Sequence, residues 1–198
     1  MKKRWRLRIA FLGLVCLAAG LFTTGQSAWA AIQNGGFEET PIVWTEESSQ
    51  ALLPLIFDTG LVQIPPQAGA FGAWLCGATN EISTLRQQVV VPVGDPFLVY
   101  WRWIDSLAPE SNNHEGQILI NGNIINKFKL STSSSTNGWS NQAVDLRNFQ
   151  GQPVSLEIKG VCNSPDERIS NLFVDSFAFQ ATGRTFYYIP LIFNLRAI

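Results

Sequence analysis

The sequence predicts an all-β protein: a two-sheet antiparallel sandwich in a single domain, preceded by a signal peptide. Three observations predict it. Beyond residue 30 there is hardly any helical periodicity; short runs rich in Val, Ile, Phe, Trp and Thr alternate instead with Gly, Pro, Asn and Ser clusters. About nine such runs follow one another at the turn spacing of a sandwich. Asn121-Gly122 sits between two Ile-rich runs, and both residues accept the positive φ angles of a type I′ hairpin turn.

Taken in order, the chain opens on Lys2, Lys3, Arg4, Arg6 and Arg8, with no acid before Glu38. An apolar run over 9–22 follows, and then Ala28-Trp29-Ala30, the small-x-small pattern a signal peptidase reads. The run is shorter than the roughly 20 apolar residues a membrane-spanning helix needs, so 1–30 reads as a removable signal and the protein as secreted. Cys16 lacks the small residue expected ahead of a lipidated cysteine.

Of the 14 Lys and Arg and 15 Asp and Glu, removing the signal takes five bases and no acid, leaving a net charge of −6. A mildly acidic domain without a basic cluster excludes nucleic acid and anionic membrane surfaces as expected partners. No later run is long or apolar enough to span a bilayer.

Strands are expected at 51–57, 70–76, 83–91, 97–104, 117–120, 124–130, 139–146, 154–159 and 172–180, with a polar loop at 131–137. Strand parity assigns faces. Along 97–104, Val99, Trp101 and Trp103 share one face and Leu98, Tyr100, Arg102 and Ile104 the other. An unpaired arginine is a poor core residue, so the two tryptophans are assigned inward and Arg102 outward, pairing with an acid such as Glu157 or Asp145. Along 172–180, Phe173, Asp175, Phe177 and Phe179 fall on one inward face, where the acid needs a partner.

Cys76 and Cys162 survive processing. In an oxidising compartment an even pair is most simply a disulfide, the alternative being two separately buried thiols. With His114 the only histidine and no C-x-x-C spacing, a cysteine–histidine metal site is not expected.

Several stretches stand in a recognisable order: Asn34-Gly35-Gly36-Phe37-Glu38, Ala73-Trp74-Leu75-Cys76-Gly77, Tyr100-Trp101-Arg102-Trp103-Ile104, Ile118-Leu119-Ile120-Asn121-Gly122 and Asn171-Leu172-Phe173-Val174-Asp175. Over 32–180 the chain resembles the galactose-binding-like jelly-roll domain shared by family 4/9-type carbohydrate-binding modules, MAM-like domains and uncharacterised bacterial exoproteins. It departs from the pattern at Cys76, where a second glycine is usual, and at Asp175-Ser176, where paired aspartates are usual. The resemblance implies one structural calcium between the opening motif and the last strand, with Glu38 and Asp175 as its side-chain ligands. The competing reading has Asp175 accepting loop amides and Glu38 solvated. No other cofactor is implied.

The jelly-roll resemblance and the tryptophan content point to a non-catalytic binding or adhesion module, with extracellular carbohydrate the leading ligand and a cell-surface protein the other candidate. Sugar binding needs exposed rings and polar side chains. Tyr100 and Arg102 are one expected ligand surface; Trp139, beside the Ser-rich loop, is another. An enzyme is not expected, a glycoside hydrolase-like enzyme with scattered acids being the least favoured alternative: no H-E-x-x-H, G-x-S-x-G or phosphate-cradling loop occurs, and His114 reads as an exposed loop residue. Glu46-Glu47 and Asp166-Glu167 read as solvated loop charges. The apolar stretch over 186–193, within a tail at 182–198, is expected to add an edge strand or meet a partner; a structural exoprotein associating through it is the alternative function.

Overall fold

The computed structural model describes residues 31–40, 42–58, 64–110, 113–163 and 168–183. The expected signal peptide, Asp166-Glu167 and the 186–193 stretch lie outside the described residues. Ten strands form two antiparallel sheets. The first sheet runs β1 (Thr45–Ser48), β4 (Glu81–Val90), β9 (Pro153–Cys162), β6 (His114–Ile120) and β7 (Asn123–Lys129) in spatial order. The second runs β2 (Ile56–Asp58), β3 (Phe71–Leu75), β10 (Ser170–Gln180), β5 (Phe97–Ser106) and β8 (Ser140–Asp145). No helix among the described residues is long and apolar enough to cross a membrane.

The core lies between the sheets. Leu85, Val89, Ile118, Leu156 and Ile158 meet Ala73, Leu75, Leu98, Ile104, Leu172 and Val174 there, all fully buried. Alternation along each strand buries one side-chain row and leaves the next on the outer face. The hairpin is as expected: Asn121 (φ 52) and Gly122 (φ 78) turn β6 into β7. Cys76, just after β3, and Cys162, ending β9, are joined by a disulfide that staples one sheet to the other, with Cα atoms 5.7 Å apart. Gly160 opposes it; a Cβ there would lie 2.7 Å from Cys76 Sγ, so only glycine lets the bridge pass.

The opening motif closes one end of the core. Phe37 is buried against Trp44 and Phe177, ring centroids 5.7 and 6.2 Å away, and Phe177 stacks flat on Tyr100 at 5.1 Å.

Four expectations are corrected. First, β1 was missed because Thr-Glu-Glu-Ser carries no apolar signal. As an edge strand, it turns Glu46 toward the neighbouring sheet, where Oε2 accepts the Leu55 and Ile56 amides; Glu47 pairs with Arg86 at 3.2 Å. These two acids are therefore not free loop charges. Second, the strand expected over 51–57 shrinks to Ile56–Asp58, since Pro54 has no N–H to give a ladder and Ala51 takes a positive φ.

Third, the faces of β5 are reversed. Tyr100 is 1 % exposed and points into the core with Leu98 and Ile104, while Trp101 and Trp103 face outward. The arginine that argued otherwise sits on the core side at an open edge, its guanidinium 3.9 Å from the Phe128 ring centroid. On β10, likewise, Leu172 and Val174 point inward and Phe173 outward. A bulge then shifts the register after Asp175 (Ser176 φ 56), and this returns Phe177 to the core. Fourth, His114 is 2 % exposed, not a free loop residue: it begins β6 and its Nδ1 lies 2.9 Å from the buried Ser170 hydroxyl.

Candidate binding face on the second sheet

The two outer faces of the sandwich differ in chemistry. On the first sheet, Glu115 pairs with Lys129 at 3.1 Å and Lys127 at 3.4 Å, and Arg86 bridges Glu47 and Glu157. Burial would raise the Glu115 carboxyl, but the hydrogen bonds from Lys129 and Lys127 outweigh it and hold the group below the usual carboxylate range. Most charges of this face are paired on it.

The outer face of the second sheet is aromatic. Cross-strand register sets Trp74 (β3), Phe173 (β10) and Trp103 (β5) side by side in one row, and Asp175, Trp101 and Asn141 in the next. Phe173 is buried and forms the floor. Trp74 stacks on it at 5.7 Å and 23°, and Phe57 meets it edge-on at 5.9 Å. Trp74, Trp101 and Trp103 are half-buried, so each keeps ring surface open to solvent. Trp139, immediately before β8, stands edge-on to Trp103 at 6.2 Å and 84° and makes a wall at right angles to that ring. The polar rim is fixed by hydrogen bonds: Trp74 Nε1 donates to Asn171 Oδ1 at 3.0 Å, and Asn171 Nδ2 donates to the Asp105 carbonyl at 3.0 Å. Beside Trp74 a cavity of about 460 Å³ opens between the 52–55 segment and Phe57.

A strap, residues 64–70, borders this face. Asp175 Oδ2 accepts the Gln67 and Ala68 amides at 2.9 and 3.2 Å, and Glu38 Oε1 accepts the Ala70 and Phe71 amides at 2.9 and 2.8 Å. Trp139 Nε1 donates to the Pro65 carbonyl at 3.0 Å, so the strap also holds the upright wall. Asp175 is 0 % exposed, and burial raises its carboxyl to about 6 against the opposing pull of the amides of Ala68, Ser176 and Gln67.

These contacts decide how the expected metal ligands are arranged. A calcium shell needs converging oxygens; here N–H donors converge on Asp175 Oδ2 and Glu38 Oε1. Among the described residues no group of three or more His, Cys, Asp or Glu is placed to hold a metal ion. In this arrangement one oxygen of each carboxylate is taken by loop or strand amides. The competing sequence reading had Asp175 on loop amides and holds for it, while Glu38 binds loop amides too.

Of the expected ligand residues, only Trp139 lies on the aromatic face. Tyr100 is in the core, where burial pushes its hydroxyl up to about 12, and it offers a ligand no surface. Arg102 lies on the opposite side of β5 from Trp101 and Trp103. Trp74, Trp101 and Trp103 were missed. The signal that finds them is the cross-strand row: Leu172 and Val174 are the more apolar alternates of β10, and pairing them inward places Phe173 and its neighbours outward.

No protein-family model and no curated protein sequence matches the chain. Among solved structures, the module TmCBM61, in complex with β-1,4-galactotriose, is 14 % identical with TM-score 0.51, covering 76 % of this chain and 97 % of that one. The family 11 carbohydrate-binding module of Clostridium thermocellum, in complex with a mixed-linked tetrasaccharide, is 13 % identical with TM-score 0.44, covering 77 % and 95 %. A Stig cyclase from Fischerella sp. is 11 % identical with TM-score 0.46, covering 78 % and 98 %. The likeness to the first establishes the fold: the chain is a two-sheet β-sandwich of the kind found in carbohydrate-binding modules.

Proposed function

We propose that this protein is a secreted, non-catalytic carbohydrate-binding module whose glycan lies on the outer face of the second sheet. The observation that carries the reading is the contrast between the two outer faces. One is charged and largely ion-paired; the other leaves Trp74, Trp101, Trp103 and Trp139 open around a buried Phe173, rimmed by Asn171 and Asp105. Indole faces stack on the C–H faces of pyranose rings, and amide and carboxylate groups fix hydroxyls. A solvated surface has no reason to gather four half-buried tryptophans.

A hydrolase would need two carboxylates converging on one bond. Asp175 is the one described carboxyl held well above its ordinary range, and its oxygens are engaged by strap and bulge amides. The disulfide supports an extracellular setting.

The test is affinity electrophoresis and titration calorimetry on a panel that starts with β-1,4-galactan, the polymer of the ligand bound by TmCBM61, and includes β-glucans, xylan and mannan. Binding that quenches tryptophan fluorescence and disappears in Trp103→Ala supports the reading. A panel blank with folded protein, or binding indifferent to Trp74, Trp103 and Trp139, sinks it.

A further inference from the structure

We propose that Arg102 forms a second binding site, for the carboxylate or sulfate group of an acidic sugar, at the open edge of the sandwich where β7 and β8 face each other. This goes beyond the reading above and lies on the other side of β5 from the tryptophans.

The register places Arg102 opposite Ser140 and Tyr100 opposite Gln142, all on the inward side of β5 and β8. The contact of Arg102 with Phe128 brings β5 against β7, the strand that ends the first sheet, while β8 ends the second sheet beside β5. The guanidinium plane is fixed against the ring, 3.9 Å from its centroid, so the cation is held in place before any ligand arrives.

Its charge is not answered within the described residues. Glu157 pairs with Arg86 at 3.5 Å and Asp145 with Arg147 at 2.6 Å; these were the two acids the sequence offered it. No ion pair to Arg102 occurs among the described residues, and its Nε is buried with no hydrogen-bond partner. Tyr100 gives Arg102 a side-chain hydrogen-bond partner but no counter-charge, because its buried hydroxyl stays protonated. Burial also lowers the guanidinium from its ordinary value, yet an arginine does not give up its proton in a protein. A half-buried cation without a counter-ion is destabilising, and a neutral side chain of similar volume would serve packing better. Among the described residues no acid answers this cation, and an external oxyanion would do so.

The surroundings suit a small oxyanion on a sugar. Guanidinium N–H groups pair with carboxylate or sulfate oxygens. Ser140 and Gln142, linked to each other at 3.1 Å, line the same side of β8 and give this edge a polar border. The Ser140 hydroxyl donates to the Arg102 carbonyl at 3.2 Å, which ties this edge to the strand that carries the cation.

The experiment is thermal unfolding of the full chain with trigalacturonate, galactose 6-sulfate, inorganic sulfate or neutral β-1,4-galactotriose. Wild type should show a saturable rise in Tm with at least one anion at millimolar concentration, weakened by NaCl. Trigalacturonate acting alone assigns a uronate, galactose 6-sulfate acting alone a sulfate ester, and inorganic sulfate as effective as either a bare oxyanion. Arg102→Met should melt no lower than wild type and lose the anion-dependent rise. Arg102→Lys, which keeps the charge but not the fork, should weaken the response about tenfold or more. Trp103→Ala should leave the anion response intact while abolishing any galactotriose response, so failure of one site is told from failure of the other. No rise with any anion, or an equal rise in Arg102→Met, overturns the proposal; should Arg102→Met not fold, an unchanged response in Arg102→Lys overturns it.

Discussion

Trp139 stands edge-on to Trp103, ring centroids 6.2 Å apart and planes at 84°, and its indole nitrogen is tied to the Pro65 carbonyl of the strap. The two rings stand at right angles, so a sugar stacked on Trp103 would be flanked by Trp139. Trp103→Ala and Trp139→Ala should each weaken glycan binding by about 2 kcal/mol, roughly thirtyfold, the loss of a central aromatic anchor. Arg86→Ala, on the ion-paired outer face, should leave the affinity unchanged. Calorimetry on the three variants checks this, and a loss in Arg86→Ala would place the glycan on the wrong sheet.

The disulfide joins the last residue of β9 to the residue after β3, a sequence separation of 86. Closing a loop of that length is worth on the order of 4 kcal/mol through the unfolded chain. Replacing both cysteines with alanine should lower the urea-unfolding free energy by about that amount. Gly160→Ala should destabilise the oxidised protein, because the added Cβ meets Cys76 Sγ. Its penalty should shrink in the cysteine-free background; equal penalties in both would mean the bridge is not what the glycine accommodates.

Glu46 and Glu47 are neighbours with opposite tasks. Glu46 accepts the Leu55 and Ile56 amides and Glu47 reaches Arg86 at the surface. Glu46→Gln should cost about 1–3 kcal/mol, the range for weakening charge-assisted bonds to backbone donors, and Glu47→Gln less than about 1 kcal/mol. Chemical denaturation ranks the two, and the reverse order would remove Glu46 from the inter-sheet contact.

Asp175 should make stability fall as pH rises. Its folded carboxyl, raised by burial to about 6, lies above the unfolded value of about 3.9. Between those values the folded protein binds the extra proton, so unfolding free energy decreases as pH climbs from about 4 to about 6. The increment is on the order of 2 kcal/mol and should be missing in Asp175→Asn. Urea midpoints of both proteins from pH 4 to 7 read it as the wild-type minus variant difference. A difference that is flat across the range would show that the strap amides fully offset the burial.

By itself the sequence determined the all-β class, the Asn121-Gly122 hairpin and the position of most strands, because alternation and turn chemistry are local and outlast any partner. For Cys76 and Cys162 the sequence left a disulfide or two buried thiols, and the fold decides for the disulfide. Face assignment was different. Parity groups Trp101 with Trp103 and Tyr100 with Arg102, but which group enters the core depends on what lies opposite. Arg102 is tolerable on the inner side only because β7 ends the first sheet there and brings Phe128 to its guanidinium. The bulge at Ser176 reverses parity within β10, and nothing local in Asp175-Ser176-Phe177 foretells it. The binding face was likewise decided by tertiary structure. Its tryptophans come from β3, β5 and the approach to β8, and are brought together by cross-strand register. Register depends on pairing partners distant in the chain, so no window of sequence contains it.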